Sequence, residues 1–307
     1  MPENSLYVGR FAPTPSGPLH FGSLVAALGS ALDARCHGGR WLVRIEDVDT
    51  PRAVPGMAEA MLATLERFGF EWDGEVLWQS RRAGVYAAAL EQLKAGGHVF
   101  PCACSRRELA EVPDSALARD GSRRYPGTCR DGLPPGSKPR AWRVRAGGTI
   151  RFKDAVQGCQ EEDLARDVGD YIVLRADGVF AYQLAVVTDD AEQGVTHVVR
   201  GADLLGSTAR QIHLQTVLGL PTPAYAHLPV ATNAAGEKLS KQTLARAVDE
   251  APPAHMLVSA LSFLGQNPPD GLAAASVGEV WAWARENWNM ECVPRVLQWY
   301  APEFSHP

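Results

Sequence analysis

The segment RFAPTPSGPLHFGS, Arg10 to Ser23, places three prolines, two glycines and one histidine immediately ahead of an apolar run. Helix N-termini present unpaired backbone N–H groups and the positive end of the macrodipole, which suits them to phosphate. A Pro/Gly-rich lead-in fixes the loop while letting backbone approach a ligand. His20, at the first turn, can donate to a phosphoryl oxygen that gains charge in a transition state. Read as scaffold alone, the same residues make a stiff turn with a capping histidine. Late in the chain, GEKLSKQ (236–242) sets Lys238 and Lys241 three apart after the strand-like HLPVAT. Such a loop can close over a polyphosphate, although an isolated Lys-Ser-Lys is also ordinary surface charge. No GxxxxGK[ST] stretch occurs, so that kind of phosphate loop is excluded. A third group is Cys102, Cys104 and Cys129, clustered in sequence and suggestive of a metal in a reducing compartment. Three thiolates and one further ligand make a closed tetrahedral structural site, and His98 is a conventional fourth ligand. Cys36, Cys159 and Cys292 are scattered and read as small buried hydrophobes.

Elements must hold these residues. LYVGRF (6–11) reads as a first strand, SLVAALGSALDAR (23–35) as a helix, WLVRIED (41–47) as a buried strand, and Gly56 to Phe68 as a second helix. Strand, helix, strand, helix predicts a parallel α/β unit. From about Phe100 to Thr188 the pattern changes to turn residues and short alternating runs: RAWRVR, TIRFKD and YIVLRADGVFAY with an Asp-Gly turn. VTHVVRGADL then restores a buried strand and STARQIHLQTVLGL a helix. MLVSALSFLGQN and VGEVWAWARENW carry helical periodicity near the end. The expected organisation is a discontinuous Rossmann-type catalytic domain (1–100 and 189–245), an inserted metal-containing subdomain (101–188) and a small helical C-terminal part (246–307).

The chain has 307 residues, 46% apolar and 21% charged, with a net charge of −5. That is an ordinary globular composition. A net acidic chain is not a general nucleic-acid coat, because such coats rely on counterion release by many cations. Residues 123–153 nevertheless hold nine basic side chains against one acid, Asp131, a stretch equally suited to a solvated surface and to RNA contact. No apolar run reaches membrane-spanning length, and the start, MPENSLYVGRF, lacks the pattern of a signal peptide. Cytoplasmic localisation with no membrane partner is the expectation.

HFGS (20–23) and KLSKQ (238–242), taken in order and spacing, resemble the two signature motifs of class I aminoacyl-tRNA synthetases. RFAPTPSGPLHFGS, LVRIEDVDTPR (42–52) and RGADLLGSTARQ (200–211) are similar to the glutamyl/glutaminyl subgroup. Only about 65 residues follow Gln242, and CAC (102–104) precedes YPGTC (125–129). Both features resemble the truncated glutamyl-tRNA synthetase paralogues that glutamylate queuosine, without an anticodon-binding domain. The resemblance implies tRNA-independent activation of L-glutamate with ATP and Mg²⁺, then transfer to queuosine-containing tRNA(Asp), by a monomer. It implies catalytic roles for His20 and Lys241. Glutamate contacts fall to Arg10, Phe11, Ala12, Pro13, Thr14, Glu46, Tyr182 and Arg200. ATP contacts fall to His20, Gly22, Ser23, Lys238 and Lys241. It favours Tyr125 over His98 as the fourth ligand of one structural Zn²⁺, beside Cys102, Cys104 and Cys129. Arginine's planar fork suits the two carboxylates of glutamate and an acid suits its ammonium. Which carboxylate each arginine takes stays open. Three alternatives remain: charging the 3′ end of tRNA(Glu) or tRNA(Gln), a non-catalytic paralogue acting as a binding subunit, and a nucleotidyltransferase of the same superfamily, which would not need the Arg10, Glu46 and Arg200 pocket.

Overall fold

A computed structural model describes residues 6–49, 52–111, 117–118, 123–239 and 247–301. The α/β expectation holds. Strand β1 (Val8–Phe11) leads through the proline-rich loop into helix α1 (Phe21–Cys36), which returns to strand β2 (Arg40–Ile45). The two strands run parallel, with Arg10 opposite Leu42. Helix α2 (Met57–Arg67) and the short strand β3 (Leu77–Trp78) follow, β3 pairing parallel with β2. Helix α3 (Ala83–Ala95) then leads to strand β4 (Val99–Cys102) and the short helix α4 (Arg106–Ala110).

Strands β5 (Ala141–Val144), β6 (Thr149–Asp154), β7 (Gly158–Asp163) and β8 (Tyr171–Leu174) come next. They divide between two sheets. β4, β5 and β8 form an antiparallel sheet of three, whereas β6 and β7 form a hairpin. The second arm of the YIVLRADGVFAY hairpin is shorter than its sequence suggests. A single bridge joins Leu174 to Phe180, and helix α5 (Tyr182–Glu192) begins at once. Ala181, ahead of that helix, makes no side-chain cap, so the usual sequence signal for a helix start is missing.

Strand β9 (His197–Gly201), helix α6 (Leu205–Leu218) and strand β10 (Ala224–Leu228) form the second parallel unit. It joins the first through Thr196, whose N–H donates to the Val8 carbonyl (2.9 Å) and whose hydroxyl accepts from Val8 N–H (2.8 Å). β10 continues parallel to β6 at Asp154, so the β6–β7 hairpin extends this edge. Strand β11 (Val230–Thr232), helices α7 (Pro253–Phe263) and α8 (Val277–Asn287) and strand β12 (Gln298–Tyr300) complete the chain, β12 pairing parallel with β11.

Helix α1 lies at the centre. Leu24, Leu28 and Leu32 are almost fully buried, each contributing about 1.5–3 kcal/mol. A Cβ on Gly29 would come within 2.7 Å of Leu228 Cδ1, so a larger residue here would push that side chain aside. α7 and α8 share the same core. Trp281 Nε1 donates to the Phe68 carbonyl (2.8 Å) and Trp288 Nε1 to Asp33 (3.1 Å), tying the end of the chain to its beginning. Cys36, Cys159 and Cys292 are exposed, correcting the expectation of buried thiols. Cys36 ends α1, Cys159 lies on the outer hairpin and Cys292 in a surface turn. Among the described residues, no helix is long and apolar enough to cross a membrane.

Candidate active site

Strand order reverses between β1 and β9, because β1 is followed outward by β2 and β9 outward by β10. Ligands of open parallel sheets bind at such a switch point, outside the carboxyl ends of the strands. Arg10 sits at that end of β1 and Arg200 at that end of β9. Both face a cleft of about 730 Å³, which is also lined by Phe11, Ala12, Pro13, Thr14, His20, Gly22, Ser23, Glu46, Tyr182 and Lys238. The structure therefore gathers twelve of the residues singled out from sequence into one cavity. Lys241 lies outside the described residues.

The charges here are buried and paired. Arg10 Nε meets Asp190 Oδ1 at 3.3 Å, and Arg44, with no solvent exposure, donates to the same oxygen at 2.8 Å. Arg44 also donates to Gln193 (2.8 Å) and to Glu46 (3.4 Å). Burial pushes the Glu46 carboxyl up, and the Arg44 and Arg10 guanidiniums oppose that shift. The Asp190 carboxyl ends below the ordinary range: burial raises it, but Arg10 and Arg44 outweigh the burial. Breaking such a buried network by removing one partner costs about 3–5 kcal/mol, so its geometry is held tightly.

Arg200 is fixed from behind. Its Nε donates to His227 Nε2 (3.0 Å), one terminal nitrogen donates to Thr208 Oγ1 (2.9 Å), and the other approaches the Tyr182 hydroxyl (3.4 Å). His227 Nδ1 in turn meets Asp154 Oδ2 at 2.6 Å. Burial lowers the His227 pKa to about 4, against the opposing pull of Asp154. The ring is therefore neutral near pH 7. Its hydrogen bonds assign the proton to Nδ1 and leave Nε2 as acceptor for Arg200.

At the start of α1, His20 is the N-cap residue: its Nδ1 accepts from Ser23 N–H at 3.3 Å. That contact leaves Nε2 to carry the proton, 3.3 Å from Ser23 Oγ. A Cβ on Gly22 would crowd this ring at 3.3 Å, so the glycine gives the histidine room. Opposite, Thr232 and Lys238 bridge across a turn in which Asn233 Oδ1 accepts from the N–H groups of Ala235 and Glu237. Lys238 Nζ donates to Asp203 Oδ2 at 2.6 Å. Helix start, histidine and Lys238 thus line one cleft, a combination suited to a polyphosphate.

The cysteines gather some distance along the chain from this cleft. Cys102, Cys104 and Cys129 present sulfurs all within 4.8 Å of one another. Cys104 and Cys129 are 3.7 Å apart, and the Tyr125 hydroxyl lies 3.4 Å from Cys102 Sγ and 3.6 Å from Cys104 Sγ. A zinc tetrahedron with Zn–S near 2.3 Å and Zn–O near 2.0 Å has edges of roughly 3.5–3.8 Å. The Cys104–Cys129, Tyr125–Cys102 and Tyr125–Cys104 edges lie close to that range. His98 is not in the group, and its ring lies towards Gly96 and His213. Arg143 donates to Cys102 Sγ (3.4 Å) and stacks on Tyr125 at 3.9 Å. Several of the nine basic residues of 123–153 thus pair within the chain, including Arg130 with the buried Asp170 and, at the surface, Arg151 with Glu161.

Arg44, Asp190, His227 and Asp154 were missed by sequence reasoning. Arg44 stood in plain view two residues before Glu46, but nothing local distinguishes it.

The family of tRNA synthetases class I (E and Q), catalytic domain, matches residues 7–271. A glutamyl-Q tRNA(Asp) synthetase of Aromatoleum aromaticum is 70% identical over 296 residues, 96% of this chain and 93% of the relative. One from Dechloromonas aromatica is 60% identical over 95% of this chain and 97% of its own. Among solved structures, a glutamate-tRNA synthetase from Elizabethkingia anophelis superposes with a TM-score of 0.78 at 24% identity. That match covers 95% of this chain and 67% of the other, and the likeness is one of fold.

Proposed function

The chain belongs to the class I tRNA synthetases of the E and Q group, among the glutamyl-Q tRNA(Asp) synthetases, and from this we propose that it activates glutamate with ATP, without tRNA, and transfers it to queuosine in tRNA(Asp). It is a ligase of the aminoacyl-tRNA synthetase family. One observation carries the reading: two buried arginines and a buried glutamate share a cleft with a histidine-capped helix start and Lys238.

Arg10 and Arg200 take the two carboxylates of glutamate, and Glu46 takes the ammonium. The Tyr182 hydroxyl adds a contact beside Arg200. ATP enters as its Mg²⁺ complex. The α-carboxylate oxygen attacks the α-phosphorus, the bond to pyrophosphate breaks, and glutamyl-adenylate forms. Such transfers need positioning and charge neutralisation more than covalent help. His20 Nε2–H and the α1 backbone meet the phosphates, and Lys238 and Lys241 balance the charge on departing pyrophosphate. A hydroxyl of queuosine's cyclopentenediol then attacks the activated carbonyl and AMP leaves. One Zn²⁺ held by Cys102, Cys104, Tyr125 and Cys129 supplies structural cross-linking and takes no part in the chemistry.

The test is incubation with labelled glutamate, ATP and three RNAs: tRNA(Asp) with queuosine, the same tRNA with guanosine in its place, and queuosine tRNA(Asp) lacking its 3′ adenosine. Label on the first and third alone is expected. Label that disappears with the 3′ adenosine would assign the enzyme to ordinary 3′ charging, and no label on any RNA would point to a binding subunit.

A further inference from the structure

Beside the main cleft lies a smaller cavity of about 140 Å³, sharing with it the wall formed by Thr14, Glu46 and Tyr182. Asp49, Gln79 and Arg175 line it from the other side. Each of the three carries one polar atom sealed from solvent and without a hydrogen-bond partner: Asp49 Oδ1, Gln79 Oε1 and Arg175 Nε. Their remaining atoms are engaged. Asp49 Oδ2 accepts from Arg175 (2.7 Å) and from Arg52 Nε (2.7 Å), and Gln79 Nε2 donates to Asp189 (2.7 Å). These contacts hold the three side chains in the cavity wall and leave two acceptors and one donor of that wall unpaired.

Buried polar atoms are nearly always paired, and several unpaired ones about one cavity call for a polar ligand. The space is several times the roughly 10–15 Å³ that one water needs. Two neighbouring acceptors ask for two donors, and the single donor asks for a lone pair. Vicinal hydroxyls on a small ring meet all three demands, each giving its O–H to one acceptor while an oxygen accepts from the guanidinium. We propose that this cavity is the acceptor subsite, and that Asp49, Gln79 and Arg175 grip a cis-diol and present one of its hydroxyls across the shared wall to the activated glutamate. The proposal rests on the glutamyl-transfer reading above. Within that reading the diol is the cyclopentenediol of queuosine. The terminal ribose of a tRNA offers the same chemistry, and the RNAs used in the test separate the two.

Asp49→Asn keeps the shape but weakens the grip, and Phe180→Trp narrows the cavity while leaving its ion pairs intact. Each purified variant is assayed for glutamate-dependent ATP–pyrophosphate exchange, which needs no acceptor, and for glutamate transfer to queuosine tRNA(Asp) with and without its 3′ adenosine. The expected result is transfer kcat/KM for the tRNA lowered at least tenfold, with exchange within twofold of wild type. Exchange falling in step with transfer would assign the cavity to glutamate and overturn the proposal. Transfer at wild-type rates in both variants would overturn it too. Should Asp49→Asn lose its cooperative melting transition, Phe180→Trp decides alone. Wild-type enzyme that labels only the 3′ end would refute queuosine transfer, and loss of that labelling in the variants would keep the diol subsite with ribose as its occupant. Wild-type enzyme that labels no RNA refutes both.

Discussion

Asp154→Asn tests whether Arg200 is positioned from behind. Asp154 Oδ1 accepts from the backbone N–H groups of Val156 (3.0 Å), Gln157 (2.8 Å) and His227 (3.1 Å), while Oδ2 takes the His227 Nδ1 proton at 2.6 Å. An asparagine has one acceptor oxygen for both duties. If the oxygen keeps the three backbone donors, its NH₂ faces Nδ1 and the ring must move its proton to Nε2. Nε2–H would then oppose the Nε–H of Arg200, 3.0 Å away. If the amide turns over, three backbone donors lose their partner. Asp154, His227 and Arg200 are all at least 96% buried, so water offers no easy remedy. Losing one charge-assisted hydrogen bond costs about 1.5–3 kcal/mol. Taking about 2 kcal/mol as the share that reaches the Arg200 guanidinium gives roughly a 30-fold rise in glutamate KM. The assay is ATP–pyrophosphate exchange at saturating ATP with glutamate varied, alongside a melting curve. A folded variant whose glutamate KM stays within twofold of wild type would refute the positioning argument.

Lys241→Ala is expected to lower exchange at least tenfold, about 1.4 kcal/mol of transition-state stabilisation, and a wild-type rate would remove Lys241 from the pyrophosphate. Purified protein should contain one zinc per chain by elemental analysis. Cys129→Ser should lose it and melt at lower temperature, whereas metal-free wild type with an unchanged melting curve would contradict a structural site. Acid should destabilise the fold through His227, whose pKa is about 4 when folded against 6.5 as a free side chain. The unfolded chain takes the proton first as pH falls, so stability declines between pH 6.5 and 4 by about 3 kcal/mol. Asp154, held below the ordinary carboxylate range, adds its own loss only at lower pH. Urea midpoints at pH 7 and 4.5 should differ less in His227→Gln than in wild type, and equal differences would argue against the assignment.

What sequence reveals about this site follows the range of the interactions. The histidine-capped helix start is written in consecutive residues, and the lysine loop follows a recognisable strand. Their partnership was legible through their resemblance, in order and spacing, to the two class I signature motifs. Arg10, Glu46 and Arg200 were legible through the motifs that contain them. Arg44 and Asp190 were not, because the bond that makes them matter spans 146 residues. The same is true of His227 and Asp154, 73 residues apart and joined only when the β6–β7 hairpin docks on β10. The reading of FAY as strand failed for a local reason: helix α5 starts without a capping side chain, directly after a true β-bridge.

The pairing of β11 with β12 has a mechanical consequence for Lys238. The lysine follows a strand clamped by the last strand of the described chain, through Thr232 opposite Tyr300. Beyond the lysine loop, Ala247 bridges to His20 and Val248 N–H donates to the Leu19 carbonyl at 3.0 Å. Lys238 itself is held to β11 by its bridge to Thr232. The C-terminal strand, outside the cleft, is thus the anchor for the stretch of chain that brings Lys238 to the cleft wall.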